Sequence, residues 1–384
     1  MLDGAKYIID KLYENGYTAY MVGGCTRDKL MGITPYDYDI TTDAMPDDIV
    51  RIFDKTFLIG KKHGTVTVKH GNFAYEVTTF RIDGKYLNNR KPENVEFTSS
   101  LKEDLKRRDF TVNAIAYNEY DGYIDYFNGK KDIENKVLRT VLNPYDRFNE
   151  DALRILRGVR FSVKLGFTLE VETFKAMKEL SHLISNISSE RIFQELEKMF
   201  ELDPYKSVKL LCEINFFDIL KLKISEEKIK ALKNLKVKGF VNTMAVLLWD
   251  NEDFNITLNH LKCSNDIKQK IKNLTFGIKY NFSDKISVKK FLSECDLTDS
   301  FKDLINILEI LNKNTKNLSD YFDEIITNKE CYKINDLEIN GSDLLNLGIK
   351  NEKIGKTLDF ILSKVIEDNS INNKETLLKL AESN

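Results

Sequence analysis

The stretch Val22-Gly23-Gly24-Cys25-Thr26-Arg27-Asp28-Lys29-Leu30-Met31-Gly32, followed by Asp37-Tyr38-Asp39-Ile40-Thr41-Thr42, decides how the chain is read. Ala19 to Val22 is a short apolar run that stops at two glycines, Cys25 to Met31 suits a helix ending at Gly32, and Asp37 to Thr42 reads as a second strand. Side chains two apart on a strand share a face, so Asp37 and Asp39 point the same way. Two like charges side by side suit hard divalent cations with oxygen ligands, above all Mg²⁺ accompanying a nucleoside triphosphate. Gly23 and Gly24 let the backbone approach phosphates, and the helix start after them offers N–H groups to an anion. Taken alone, the pair is better read as two solvated strand carboxylates; the glycine turn upstream brings the metal reading level with it.

Working outward, Ala5, Ile8, Ile9 and Leu12 recur at helical spacing before the first strand. Gly64 to Lys69 and Phe73 to Phe80 read as strands around a His70-Gly71-Asn72 turn, since Gly and Asn tolerate positive φ. Glu76, in the second of these strands, is either a third carboxylate beside Asp37 and Asp39 or an exposed edge-strand acid. Phe110 to Tyr117 and Tyr123 to Phe127 admit strand or helix. From Phe148 onward the spacing is helical, with Ser188 and Ser189 as N-cap candidates for a later helix. Soft boundaries fall near residues 140 and 203.

Two charged segments accompany this pattern. Lys106-Arg107-Arg108 precede Asp109 and Asn113, where arginine forks grip phosphates and a carboxylate can accept from ribose hydroxyls. A solvated charge run is the plainer account, but this one leads into an apolar segment. Asp151 and Arg154 lie three apart on an expected helix, and Arg154, Arg157 and Arg160 form a stripe on it. Asp151 and Arg154 read either as acceptor and donor edges for a base or as an intrahelical ion pair.

The 384 residues hold 58 Lys and Arg against 60 Asp and Glu, a net charge of −2, so a polyanion must be held by local patches. Residues 221 to 238 carry seven Lys and two Glu, and 262 to 290 carry eight Lys and two Asp, faces suited to a phosphate backbone or simply to solvent. Five scattered cysteines show no zinc spacing or disulfide framework, which points to a reducing cytosol. No apolar run approaches the roughly 18 residues of a membrane span, and no leader-like segment opens the chain.

Together these segments resemble the class II tRNA nucleotidyltransferase and bacterial poly(A) polymerase family over nearly the whole length. GGxxRDxLxG with DxDxxT is matched by Gly23, Gly24, Arg27, Asp28, Leu30, Gly32, Asp37, Asp39 and Thr42. RRDFTxNA is matched by Arg107 through Ala114, EDxxR by Glu150, Asp151 and Arg154, and SxERIxxEL by Ser188, Glu190, Arg191, Ile192, Glu195 and Leu196. The resemblance implies an α+β fold: a nucleotidyltransferase head with a small mixed sheet over 1–140, then a helical neck over 141–203, body over 204–325 and tail over 326–384.

It further implies template-independent addition of CCA to the tRNA 3′ end from CTP and ATP in the cytoplasm, with pyrophosphate released. Asp37 and Asp39 would bind two Mg²⁺ ions and Glu76 would be the third carboxylate. Arg108, Asp109 and Asn113 match positions that recognise ribose and phosphates, and Asp151 and Arg154 match the pair that imitates Watson–Crick edges. Gly23, Gly24, Arg27, Glu150, Arg157 and Arg160 join the expected nucleotide site. The loop skeleton at Asp83, Gly84, Tyr86, Arg90, Pro92, Val95 and Phe97 disfavours CC-only addition, while Asn88 and Lys91 depart from the family's usual acid and second arginine. A-adding and poly(A)-polymerising members share every motif quoted.

Overall fold

The structure is a computed structural model that describes all residues except 59, 85, 88–90, 93, 94 and 384, and omits the side chains of 83, 86, 87, 91 and 92. It is an α+β protein that packs as two units, Met1–Lys223 and Ile224–Asn384. The boundaries expected near 140 and 203 both fall inside the first unit.

In the first unit, α1 (Leu2–Glu14) buries Ala5, Ile8, Ile9 and Leu12, the residues whose spacing predicted it. Then come β1 (Ala19–Val22), α2 (Gly24–Leu30), β2 (Asp39–Thr42), α3 (Pro46–Ile52), β3 (Thr56–Phe57), β4 (Thr65–His70) and β5 (Phe73–Thr79). β4 and β5 close at Gly71-Asn72, where Gly71 takes φ +58°, the left-handed conformation such a turn needs. After α4 (Leu101–Lys106) and a 3₁₀ turn at Thr111–Asn113, the undecided segments resolve as strands, β6 (Ile115–Asn118) and β7 (Gly122–Asp125). Among the described residues the sheet runs β7-β6-β1-β2-β5-β4-β3, with β2 and β5 parallel and every other neighbour antiparallel.

One sheet face packs Met21, Ile40, Val66, Val68 and Val77 against the apolar side of α1. On the other, Tyr20, Val22 and Ala116 meet Leu101 and Leu105 of α4. Helices α5 (Gly129–Glu134), α6 (Pro144–Glu150), α7 (Leu153–Leu165), α8 (Val171–Glu179), α9 (Ser189–Leu202), α10 (Pro204–Glu213) and α11 (Phe216–Ile219) complete the unit. Ser188 is the N-cap of α9, though its side chain makes no capping bond.

The second unit is helical: α12 (Glu226–Ala231), α13 (Phe240–Leu248), α14 (Phe254–His260), α15 (Asn265–Lys279), α16 (Lys285–Glu294), α17 (Phe301–Ile310), α18 (Leu318–Thr327), α19 (Gly341–Asn346), α20 (Asn351–Glu367) and α21 (Lys374–Glu382). Its lysines are not uniformly a solvated face. Lys228 and Lys289 are buried and pair with Asp250 and Glu330, and Lys270 pairs with Asp266 at 2.9 Å. No helix among the described residues is long and apolar enough to cross a membrane.

Candidate active site

The site begins where β1 ends. Gly23 holds φ +80°, which a residue with a Cβ adopts only under strain, and a Cβ there would stand 3.3 Å from Arg108 Nη1 and 3.8 Å from Asp39 Oδ2. The glycine therefore brings turn, cation and carboxylate together. Asp39 opens β2 and Asp37 lies just ahead of the strand, yet exposure still alternates through Asp37, Tyr38, Asp39 and Ile40, with both acids on the exposed positions and Tyr38 and Ile40 buried. Glu76 is on β5. Ile40 pairs with Val77 in the parallel ladder, and one step back along both strands sets Asp39 beside Glu76.

This crowding is visible in the chemistry. Burial foremost, then the negative charge of Asp37, opposed by Arg108 and reinforced by Glu76, raises the Asp39 carboxyl to about 6. Among the described residues neither the Asp37 nor the Asp39 carboxylate accepts a hydrogen bond. The folded pKa lies above the ordinary carboxylate value, so the folded chain pays to keep Asp39 ionised at neutral pH and is relieved as the pH falls through about 6. We expect Asp39→Asn to stabilise the metal-free protein by roughly 1 kcal/mol at about pH 8, allowing for solvent screening, and to give no gain by about pH 4. Thermal melts across that range check this; a pH-independent difference would refute it.

Beneath the carboxylates lies a cationic layer organised by Asp104, which is 0% exposed. Its carboxylate accepts from Arg107 Nη2 at 2.8 Å, Arg108 Nη2 at 3.4 Å and the Thr41 hydroxyl at 3.1 Å. Arg108 Nε is buried without a hydrogen-bond partner, and Nη1 faces Gly23, so this guanidinium retains donor capacity toward an anion. Arg27, 2% exposed, lies behind the glycine turn and donates to Asp28 at 2.6 Å and to Asn113 Oδ1 at 2.5 Å. Asn113 in turn donates to Asp109 at 3.2 Å, and Arg157 grips the other Asp109 oxygen through Nε at 2.8 Å and Nη2 at 2.6 Å. Burial opposes ionisation of Asp109, but the Arg157 charge and these hydrogen bonds outweigh it and hold the carboxyl at about 2.

Arg107, Arg108, Asp109, Asp151, Leu153, Arg154, Arg157 and Arg191 line a pocket of about 280 Å³. The expected single helix carrying Asp151 and Arg154 is corrected here. α6 ends at Glu150, Asp151 has extended backbone, and its carboxylate accepts from Leu153 N at 3.1 Å to start α7. Asp151 pairs with Arg191 at 2.8 Å, whereas Arg154 pairs with Glu150 at 2.6 Å and donates to the Arg107 carbonyl at 2.9 Å. No intrahelical Asp151–Arg154 pair forms among the described residues. Arg160 does not line this pocket; its Nε donates to Glu195 at 2.6 Å and joins α7 to α9. The residues that sequence reading missed are Arg191, quoted only as a motif match, and Asp104. Residues 88–90 lie outside the described residues, as do the side chains of Asp83, Tyr86 and Lys91, so the loop expectations find no geometry here.

Among the described residues no three His, Cys, Asp or Glu side chains form a self-sufficient metal cage. Asp37 and Asp39, without hydrogen-bond donors and beside Glu76, fit the pattern of Mg²⁺, which takes one or two carboxylates from protein and the remaining oxygens from phosphates and water.

Residues 19–139 match the family described as "Poly A polymerase head domain" and residues 236–381 match "tRNA nucleotidyltransferase domain 2". The CCA-adding enzyme of Staphylococcus haemolyticus (strain JCSC1435) is 38% identical over 405 residues, covering 100% of this chain and 98% of that protein. That of Streptococcus pneumoniae serotype 19F (strain G54) is 42% identical over 276 residues, covering 70% of this chain and 69% of that protein. Among solved structures, the Bacillus stearothermophilus CCA-adding enzyme in complex with CTP matches with a TM-score of 0.81 at 30% identity, over 100% of this chain and 97% of that one. With relatives matched from end to end at this identity, the chain belongs to the family of the CCA-adding enzymes.

Proposed function

We propose that the protein adds C, C and A to the 3′ end of tRNA from CTP and ATP in the cytoplasm. The observation that carries this reading is the meeting of Asp39, Arg108 and the Gly23 turn at the mouth of an arginine-lined pocket. The RNA 3′-oxygen forms a bond to the α-phosphorus of the nucleotide as the bond to pyrophosphate breaks in line. Asp37 and Asp39 would hold Mg²⁺, which when bound lowers the pKa of the attacking hydroxyl and neutralises the triphosphate. Arg108 donates to phosphate oxygens, and the absence of a Cβ at Gly23 lets the triphosphate lie against the backbone. Asp109 and Asn113 hold Arg157 and Arg27 in register under the nucleotide. Asp151, fixed by Arg191, and Arg154, fixed by Glu150, present acceptor and donor groups to the base edge.

Purified protein incubated with tRNA lacking its 3′ end tests this directly. CTP alone should extend the tRNA by two C, ATP alone should leave it unextended, and both together should restore CCA. Growth only on tRNA already ending in CC would make it an A-adding enzyme, and a long A ladder a poly(A) polymerase.

A further inference from the structure

The strand register places four side chains in one row across the sheet. Phe57 on β3 lies opposite Thr67 on β4, Thr67 opposite Glu76 on β5, and Glu76 beside Asp39 on β2. Directly opposed residues share a sheet face, and Lys69, two residues beyond Thr67, shares it too. Toward β1, β6 and β7 this face is covered, with Val22, Ala116 and Ile124 packed against α4. Toward β3 it is open among the described residues: Phe57 is 51% exposed, and Lys69, Ala74 and Glu76 are exposed beside it. An aromatic ring and a lysine thus continue the row of candidate catalytic carboxylates outward to the sheet edge.

At about 4.8 Å per strand, Phe57 stands roughly 10 Å from Glu76 and roughly 14 Å from Asp39. Stacked nucleotides rise about 3.4 Å each, so RNA with its 3′-hydroxyl at the carboxylates brings a base about three or four positions upstream over Phe57. An exposed ring offers any base a stacking surface without sequence preference, which suits an end whose sequence changes as it grows. Lys69 supplies a cation where Asp39 and Glu76 would otherwise repel a phosphate backbone.

We propose that this open half of the sheet is the track for the last unpaired nucleotides of the RNA substrate, with Phe57 stacking on a base and Lys69 pairing with a phosphate. The proposal rests on the transferase reading above for the position of the 3′-hydroxyl. It is tested in the full-length protein by fluorescence anisotropy of a labelled minihelix with a 3′ ACC overhang and by kinetics on tRNA lacking its 3′ end. Phe57→Ala is expected to weaken minihelix binding and raise the KM for tRNA roughly tenfold, with the KM for CTP unchanged, and Phe57→Trp to restore both. Lys69→Ala should reduce the salt slope of binding by about 0.7.

Unchanged RNA affinity in both variants overturns the proposal, and so does an equal rise in the KM for CTP. Self-association that Phe57→Ala abolishes while RNA binding stays intact would assign the patch to a second copy of the chain, overturning it as well. A wild-type protein that binds the minihelix through Phe57 yet transfers no nucleotide would support the RNA track and sink the transferase reading instead.

Discussion

Asp37→Ala and Asp39→Ala are each expected to stop incorporation of CTP and ATP alike, by on the order of 10³-fold or more, while leaving the fold intact. The fold should survive because, among the described residues, neither carboxylate accepts a hydrogen bond that packing depends on. Removing Asp39 also removes the carboxyl that burial, and after it the charge of Asp37, raises to about 6. On the proposed reading, what would be lost is the negative pair beside the triphosphate, needed whichever base is being added. Single-turnover incorporation of each nucleotide, with a thermal melt as the folding control, checks the claim. Near-normal incorporation in a folded Asp37→Ala variant would remove these residues from the chemistry.

Much of this site can be read in the sequence because its elements are local. The apolar run Ala19–Val22 stopped by Gly23-Gly24, and the Gly71-Asn72 hairpin, depend on neighbouring residues alone, and both stand in the structure. The break at Asp151 is less legible, since Asn149-Glu150-Asp151-Ala152-Leu153 contains no Pro or Gly and helical spacing runs through it unchanged. The interruption is tertiary. Arg191, 40 residues on, pulls the Asp151 carboxylate away from α6 while the same carboxylate caps Leu153. Spacing rules see pairs at i+3 and i+4, so they propose Asp151–Arg154 and overlook a partner from another helix.

Asp104 illustrates the reverse difficulty. Lys102-Glu103-Asp104-Leu105-Lys106-Arg107-Arg108 reads as a solvated charge run, yet its Asp104 is buried and gathers Arg107, Arg108 and Thr41. The signal available was an acid three and four residues ahead of two arginines. Burial, which distinguishes an organising carboxylate from a surface ion pair, is set by the sheet beneath α4 and leaves no trace in the heptad around it.

The geometry around Asp151 sharpens what base selection requires. Cytosine offers an N4 donor and adenine an N6 donor, whereas uracil presents an O4 acceptor at the corresponding edge. On the proposed reading, a carboxylate held by Arg191 at 2.8 Å would accept from the first two and repel the third, leaving its own charge partly unpaired in the complex. Arg154, anchored by Glu150 and the Arg107 carbonyl, is a fixed cation on the same pocket wall, so a small shift of the base rather than of the protein can serve both C and A. Asp151→Ala should therefore raise the UTP share of kcat/KM relative to CTP by about ten- to a hundredfold. Asp151→Asn should raise it further, because an amide can donate to O4 as well as accept from N4. Arg191→Ala separates positioning from contact: it keeps the carboxylate but frees it to move, so selectivity should fall by less than in Asp151→Ala. If Asp151→Ala loses overall rate yet rejects UTP as fully as before, Asp151 only caps α7 and braces Arg191, and base choice must be sought in the loop around Arg90.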